Sequence, residues 1–505
     1  MKSNYDLGTS RVSRSRQDMR PANEICSLKA TDMARLIQQK KLSAREVMEA
    51  HLREIERVNP KVNAIVTLVP EDQLMAQAEA ADEVTMKGQR IGPLHGLPVG
   101  VKDSHQTKGI RTTWGSILYQ DHVPNFDCLL VERETYAGAI VIGKTNLPEL
   151  GLGSQTFNRV FGPTLNPYDL TKTCGGSSGG SAVALACGMV PIADGSDMGG
   201  SLRNPASFCS VVGLRPSPGR VPSSPAQLGW STQGVDGPMA RNVADCALFL
   251  SALAGFDRRS PIAIDQSGDR FAGPLAGRSF KGARVAMMKG LGLPWEPAVR
   301  NAIAAQRGIF ESFGCIVEEA EPDLSEANEC FLAWRHWLIE SQFGDLLEAS
   351  PDKFNEYIHW HVEEGRKLIG PYLSRIEAKR TALYHRMREF MDRYEFFVLP
   401  VSQVLPFDVK SPFPEDIDGL KMENYLAWMK SAYYISVVGN PAISVPCAFS
   451  EDHLPIGIQI VGRHSDDWGV LQMGYAFEQA ADLETRYPAV GQRPSTSQEP
   501  THGPD

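Results

Sequence analysis

Residues 174–205 read CGGSSGGSAVALACGMVPIADGSDMGGSLRNP. Two serine-and-glycine turns, GGSSGGS and GSDMGGS, flank a short apolar stretch. Glycine at this density permits positive φ and lets backbone N–H groups approach a ligand closely. The Ala-rich run from Ser178 to Cys187 is predicted to be a helix opening in the first turn, and PIAD (191–194) a strand entering the second. The pattern places a nucleophile beside an oxyanion site, and the rest of the chain must be read around it.

The flanking sequence alternates helices with strands. Residues 28–57 have helical periodicity in two pieces. Thr31 is placed to cap the first, and Ser43, with Glu46 three residues on, forms a capping box for the second. Pro60 is expected to end that helix. Residues 71–88 form a further Ala-rich helix and 126–137 another. LPVGVKD (97–103) reads as a short buried strand ending in a charged pair, and AIVI (139–142) as a β-branched strand. EFFVLPV (395–401), PAISVPCAF (441–449) and LPIGIQIVG (454–462) are later strands expected to return to the first sheet. Such alternation implies an α/β fold. Residues 324–395 differ: they are long, helical and rich in aromatics, including Phe331, Trp334, Trp337, Phe343, Phe354, Tyr357, Trp360 and Tyr372. These rings are read either as subdomain core or as the lining of an entrance for a bulky apolar substrate.

Composition narrows the function classes. The chain has 505 residues, 42% hydrophobic and 22% charged, as globular proteins do. A formal net charge of −9 disfavours a general nucleic-acid-binding role. The nine cysteines are odd in number and show no C-x-x-C spacing. Neither a disulfide framework nor a zinc ribbon is expected, and a reducing cytoplasm is the simplest compartment. The polar N-terminal stretch MKSNYDLGTSRVSRSRQDMR lacks the apolar region of a secretory signal. No apolar run of roughly 18 residues marks a membrane span. A flexible extension is expected over residues 1–27 and a disordered tail over 488–505.

Several motifs compete for the chemistry. GAIVIGKT (138–145) satisfies G-x-x-x-x-G-K-[ST], but its interior is strand-forming and Pro148 interrupts any immediate helix, so Lys144 reads as structural. Gly176-Ser177-Ser178-Gly179-Gly180 satisfies G-x-S-x-G, which would make Ser178 the nucleophile of an elbow. That elbow needs a strand before it and a late catalytic histidine, and NPYDLTKTC is a poor strand. His359 and His361 fall on different helix faces, so with His336 they make a poor metal set. Cys174 reads as a buried filler. A serine hydroxyl needs a base, and a lysine made neutral by burial can serve. Lys102, at the end of an apolar strand, is a candidate; a solvated lysine at a strand end is the alternative.

Seven segments occur together in one order: GLPVGVKD, AGAIVIGKTN, GGSSGGSA, GSDMGGSLRNPAS, VGLRPSPGRV, GPMAR and LPIGIQIVG. In this set the chain resembles the amidase signature family, from about residue 28 to about 485. The resemblance implies one large α/β domain over 28–487, with a central mixed twisted sheet flanked by helices and a helical substrate-entrance insertion at 324–395. It implies a Ser–cis-Ser–Lys triad: Lys102 as base, Ser177 as relay serine after a cis peptide bond, and Ser201 as nucleophile. The N–H groups of Met198, Gly199, Gly200 and Ser201 would form the oxyanion hole, with Ser178, Asp197 and Arg203 supporting the site. No metal or cofactor is required. Departures from the usual motif fall at Cys174, Asp194, Met198 and Ser210, none of them in the triad. The implied activity is hydrolysis of a small amide, an aryl amide or a carbamate being candidates, without nucleic acid or membrane as partner and with a homodimer as the family guess. The alternative is a glutamine-hydrolysing chain resembling the A subunit of glutamyl-tRNA amidotransferase.

Overall fold

The computed structural model describes residues 23–89, 92–481, 487, 488 and 490. Most of the expected N-terminal extension and of the expected tail therefore lies outside the described residues. Glu24–Ser27, assigned above to the extension, form a short helix with Cys26 buried.

Eleven strands form one sheet: β1 Ile65–Leu68, β2 Pro98–Lys102, β3 Ile140–Thr145, β4 Ile192–Asp197, β5 Val212–Arg215, β6 Val235–Ala240, β7 Arg284–Met287, β8 Ile316–Glu319, β9 Phe396–Pro400, β10 Ala442–Phe449 and β11 Pro455–Val461. Their spatial order is β1-β3-β2-β4-β6-β5-β10-β11-β9-β7-β8. The sheet is mixed. β3, β2 and β4 run parallel, as do β9, β7 and β8, and antiparallel pairs join these two groups. The late strands do return to the first sheet, since β10 pairs with β5 through Ile443 and Leu214.

Both faces of this sheet are covered, which is why its strands read as continuous apolar runs. Val141 and Ile192 face one core, while their neighbours Ile140, Ile142 and Ala193 face the other. Phe396 and Val398 of β9 join the first core; Phe397 and Leu399 pack under the helical excursion. That excursion comprises the helices Ala327–Ala349, Glu356–Arg366 and Gly370–Arg393. Its Phe331 stacks on Tyr433, with ring centroids 4.1 Å apart. Most of its aromatics are therefore packing groups, while Phe343 also faces the central pocket.

Local chemistry explains the helix ends, with two corrections. Ser43 caps Ala44–Val62 in a full capping box with Glu46. Thr31 does not cap its helix; Ala30–Gln38 begins one residue earlier. There the Asp245 carboxylate, distant in sequence, accepts the N–H groups of Ala30 and Thr31 at 2.8 and 2.9 Å. Pro60 does not end its helix either. The helix continues to Val62 and stops at Asn63, which takes the left-handed conformation at φ 53°.

Candidate active site

Ligand sites in sheets with parallel strands open at the strands' C-terminal ends. β2 ends there in Lys102 and its parallel neighbour β4 ends in Asp197. The helix Gly179–Ala186 springs from the first Gly-Ser turn, and Arg203–Phe208 follows the second. The turns are tied by the Ser178 N–H donating to the Ser201 carbonyl at 3.2 Å. A second tie runs from Asn204 Nδ2 to Ser154 Oγ (2.9 Å), which donates to the Gly176 carbonyl (2.7 Å). The Gly176–Ser177 peptide bond is cis. Gly200 has φ +112°, and a Cβ there would sit 2.6 Å from the Ala432 Cβ, so only glycine fits the second turn at this point.

Lys102, Ser177, Ser201, Asp197, Met198 and Gly199 line one pocket of about 210 Å³. Lys102 is fully buried. Its Nζ donates to Ser177 Oγ at 2.8 Å, Ser196 Oγ at 2.9 Å and Ser178 Oγ at 3.0 Å. Burial pushes the Lys102 ammonium down to about 8, against the opposing pull of Asp194, then Asp236 and Asp197. A lysine so placed is substantially neutral in mildly alkaline water. Ser201 is 8% exposed and faces the pocket, whereas Ser178 is fully buried behind it and bonded to both Lys102 and Ser196. The Ser178 turn is entered from a loop, residues 174–177, and not directly from a strand, so the nucleophile-elbow geometry is not present. Lys144 lies within β3, with its Nζ donating to the His105 carbonyl and to Thr107 Oγ1, and the phosphate-loop reading has no turn to rest on.

Asp197 holds the second turn together. Its carboxylate accepts Arg203 Nε at 3.0 Å and Nη2 at 2.9 Å, Arg215 Nη1 at 3.2 Å, and the N–H groups of Gly200 at 2.9 Å and Leu202 at 3.1 Å. Burial alone would raise this carboxyl, but the Arg203 and Arg215 guanidinium groups hold it well below the usual carboxylate range. Arg203 is fully buried and also bonds Ser436 Oγ (2.8 Å), the Ala432 carbonyl (2.9 Å) and Gln459 Oε1. It does not face the pocket. The Gly200 N–H, expected as an oxyanion donor, is already given to Asp197.

Sequence reasoning missed a second group of polar residues. Ser196 lies inside GSDMGGS yet drew no notice, because its approach to Lys102 depends on which way the strand turns its side chain. His105 sits between two carboxylates, 3.1 Å from Asp194 and 3.2 Å from Asp236. Burial alone would lower this imidazole, but Asp194 and then Asp236 push it up to about 9. Asp194 also accepts the Lys102 backbone N–H at 2.7 Å. Its departure from the usual motif was the available signal. Asp236 and Ser196 also line an adjoining cavity of about 730 Å³ with Trp114, Tyr119, His122 and Phe343. Trp114 is 5.0 Å from Tyr119 and 5.4 Å from His122, ring centre to ring centre.

The Amidase family profile matches residues 46–471. The chain belongs to the amidase signature family. It is 34% identical to an acylamidase of Rhodococcus erythropolis over 469 residues, covering 92% of this chain and 97% of that one. It is 32% identical to the A subunit of the glutamyl-tRNA(Gln) amidotransferase of Alkaliphilus metalliredigens, covering 89% and 96%. Among solved structures, a bacterial aryl acylamidase of the amidase signature family superposes with a TM-score of 0.86 at 26% identity, covering 92% of this chain and 99% of that one. The family and the acylamidase relative make this chain an amide-hydrolysing enzyme. Among the described residues no helix is long and apolar enough to cross a membrane.

Proposed function

We propose that the protein is a stand-alone acylamidase that works through a Ser201 acyl-enzyme. The observation that carries this reading is the buried Lys102 Nζ, 2.8 Å from Ser177 Oγ, in one pocket with Ser201. Neutral Lys102 draws the proton of Ser177, Ser177 draws that of Ser201, and Ser201 Oγ attacks the carbonyl carbon. The N–H groups of Met198, Gly199 and Ser201 face the developing oxyanion, each donor worth roughly 3–4 kcal/mol in comparable hydrolases. The Gly200 N–H instead keeps Asp197, and through it the loop, in place. The relay then runs backwards. Ser177, reprotonated from Lys102, delivers a proton to the leaving nitrogen, which departs as a neutral amine. Water gives its proton to the same relay, attacks the acyl carbon and frees Ser201.

The relay side of the pocket opens through Ser196 and Asp236 into the aromatic cavity. We assign the amine half of the substrate to it, an aryl or other bulky apolar amine. The 32% identity to an amidotransferase component favours a second reading, glutamine hydrolysis for a partner. Ammonia, the leaving group of glutamine, needs no cavity of about 730 Å³. The nine free thiols fit the reducing cytoplasm as the working compartment.

A fluorophosphonate probe, followed by peptide mass spectrometry, tests the nucleophile. Labelling is expected on Ser201 and loss of turnover by roughly 10⁴-fold or more in Ser201→Ala. A label on Ser178 would overturn the assignment. Glutaminase activity that appears only with added partner proteins would favour the second reading.

A further inference from the structure

The helix Ala327–Ala349 turns Arg335, Ile339, Gln342 and Phe343 onto one face, and all four line the nucleophile pocket. Arg335 is only 5% exposed. Its guanidinium meets no carboxylate among the described residues. Nε reaches His361 Nε2 at 3.2 Å, Nη2 reaches the Tyr425 hydroxyl at 3.1 Å, and Nη1 reaches Met198 Sδ at 3.1 Å. The Phe331 ring lies 5.8 Å away. Every one of these partners is neutral. Burial and the Arg335 charge itself hold His361 in its uncharged form, and burial does the same for His336, 2.9 Å beyond it. The carboxylates that share the pocket wall are engaged elsewhere, Asp197 by Arg203 and Arg215, Asp236 by His105 and Ser223.

A buried cation without a counter-charge is costly, and a guanidinium has five N–H donors in a flat fork, more than these three contacts use. A carboxylate is the group that such a fork accepts. The place in the pocket fixes which half of the substrate would carry it. Lys102 and Ser196 mark the side where the leaving nitrogen must be protonated. Arg335 touches Met198, on the far side of the oxyanion turn, and Gly199 there packs toward Phe331 and Met429. The acyl-enzyme reading sets the acyl chain on that side.

We propose that Arg335 is an anion-recognition residue of the acyl subsite, and that the preferred substrate is an amide whose acyl chain ends in a carboxylate, such as a dicarboxylic acid monoamide. The inference takes its orientation from the acyl-enzyme reading above, but its test does not need turnover.

Ser201→Ala protein is titrated calorimetrically with three probes: N-phenylsuccinamate, its neutral isostere 4-methylpentananilide, and N-acetyl-4-aminobenzoate, which bears its carboxylate on the amine half. The succinamate is expected to bind about 30-fold or more tighter than the isostere, the loss usual for unpairing a buried charge. Adding Arg335→Gln should abolish that preference, and Arg335→Lys should retain a good part of it. Equal or weaker binding of the succinamate, or a preference confined to the aminobenzoate, would overturn the proposal. Wild-type protein makes the same comparison in kcat/KM, so a misfolded Arg335 variant leaves the outcome readable. Failure of Ser201 labelling with an intact succinamate preference would sink the nucleophile reading alone.

Discussion

The acid limb of the rate profile is the sharpest consequence of the Lys102 environment. Burial brings this ammonium from an ordinary 10.5 to about 8. The proposed mechanism sets the sign: a base works when neutral, so activity should rise as pH rises through the folded-state value. With that value, about one-eleventh of the enzyme is competent at pH 7, half at pH 8 and about ten-elevenths at pH 9. kcat/KM for a p-nitroanilide, followed by release of the coloured p-nitroaniline, should therefore rise about tenfold from pH 7 to pH 9 and then level off. kcat/KM is the right quantity because it reports the free enzyme. Asp194 is the strongest of the carboxylates that oppose the shift, so Asp194→Asn should move the limb to lower pH. Asparagine keeps an acceptor for the Lys102 backbone N–H, which limits the damage to the strand end. Lys102→Ala should remove the limb together with most of the activity. A profile flat between pH 7 and 9, or a limb centred near 10.5, would refute the assignment of Lys102 as a buried base.

Two further outcomes test the surrounding architecture. Asp197→Asn leaves Arg203 and Arg215 as buried charges without an anion, and should destabilise the fold by about 3–5 kcal/mol; a melting temperature equal to that of the wild type would contradict the support role. Trp114→Ala opens the aromatic wall of the adjoining cavity and should lower kcat/KM for anilides by roughly tenfold while sparing primary amides of the same acyl group. An equal loss on both substrates would place the amine half elsewhere.

What the sequence made legible divides along a physical line. Strand and helix positions followed from burial on two faces and from caps made within a few residues, as Ser43 and Glu46 show. Contacts made between distant segments were not legible. The Ala30–Gln38 helix is capped by Asp245, a partner that no local pattern announces. Pro60 misled because a proline lacking an N–H tells of the turn before it, whereas the stop belongs to Asn63 in the left-handed conformation. The motif resemblance named Lys102, Ser177 and Ser201 by position, and the fold brings them to one pocket.

Resemblance could name those residues because their spacing is tied to the reaction shared across a family. The residues proposed to choose the substrate carry no such spacing. Arg335 looks in sequence like one more charge on an aromatic-rich helix, and FLAWRHW gives no hint that its guanidinium is buried. Its meaning depends on what is missing around it once the helix is docked: His361, Tyr425 and Met198 supply hydrogen-bonding atoms but no charge. The same holds for Trp114, Tyr119 and His122, which become a wall only when their loop folds over the relay side. On the proposed reading, specificity lies in the tertiary environment of a few side chains, and substitutions at Arg335 and Trp114 should change which amide is hydrolysed while leaving the proposed Lys102, Ser177 and Ser201 relay intact.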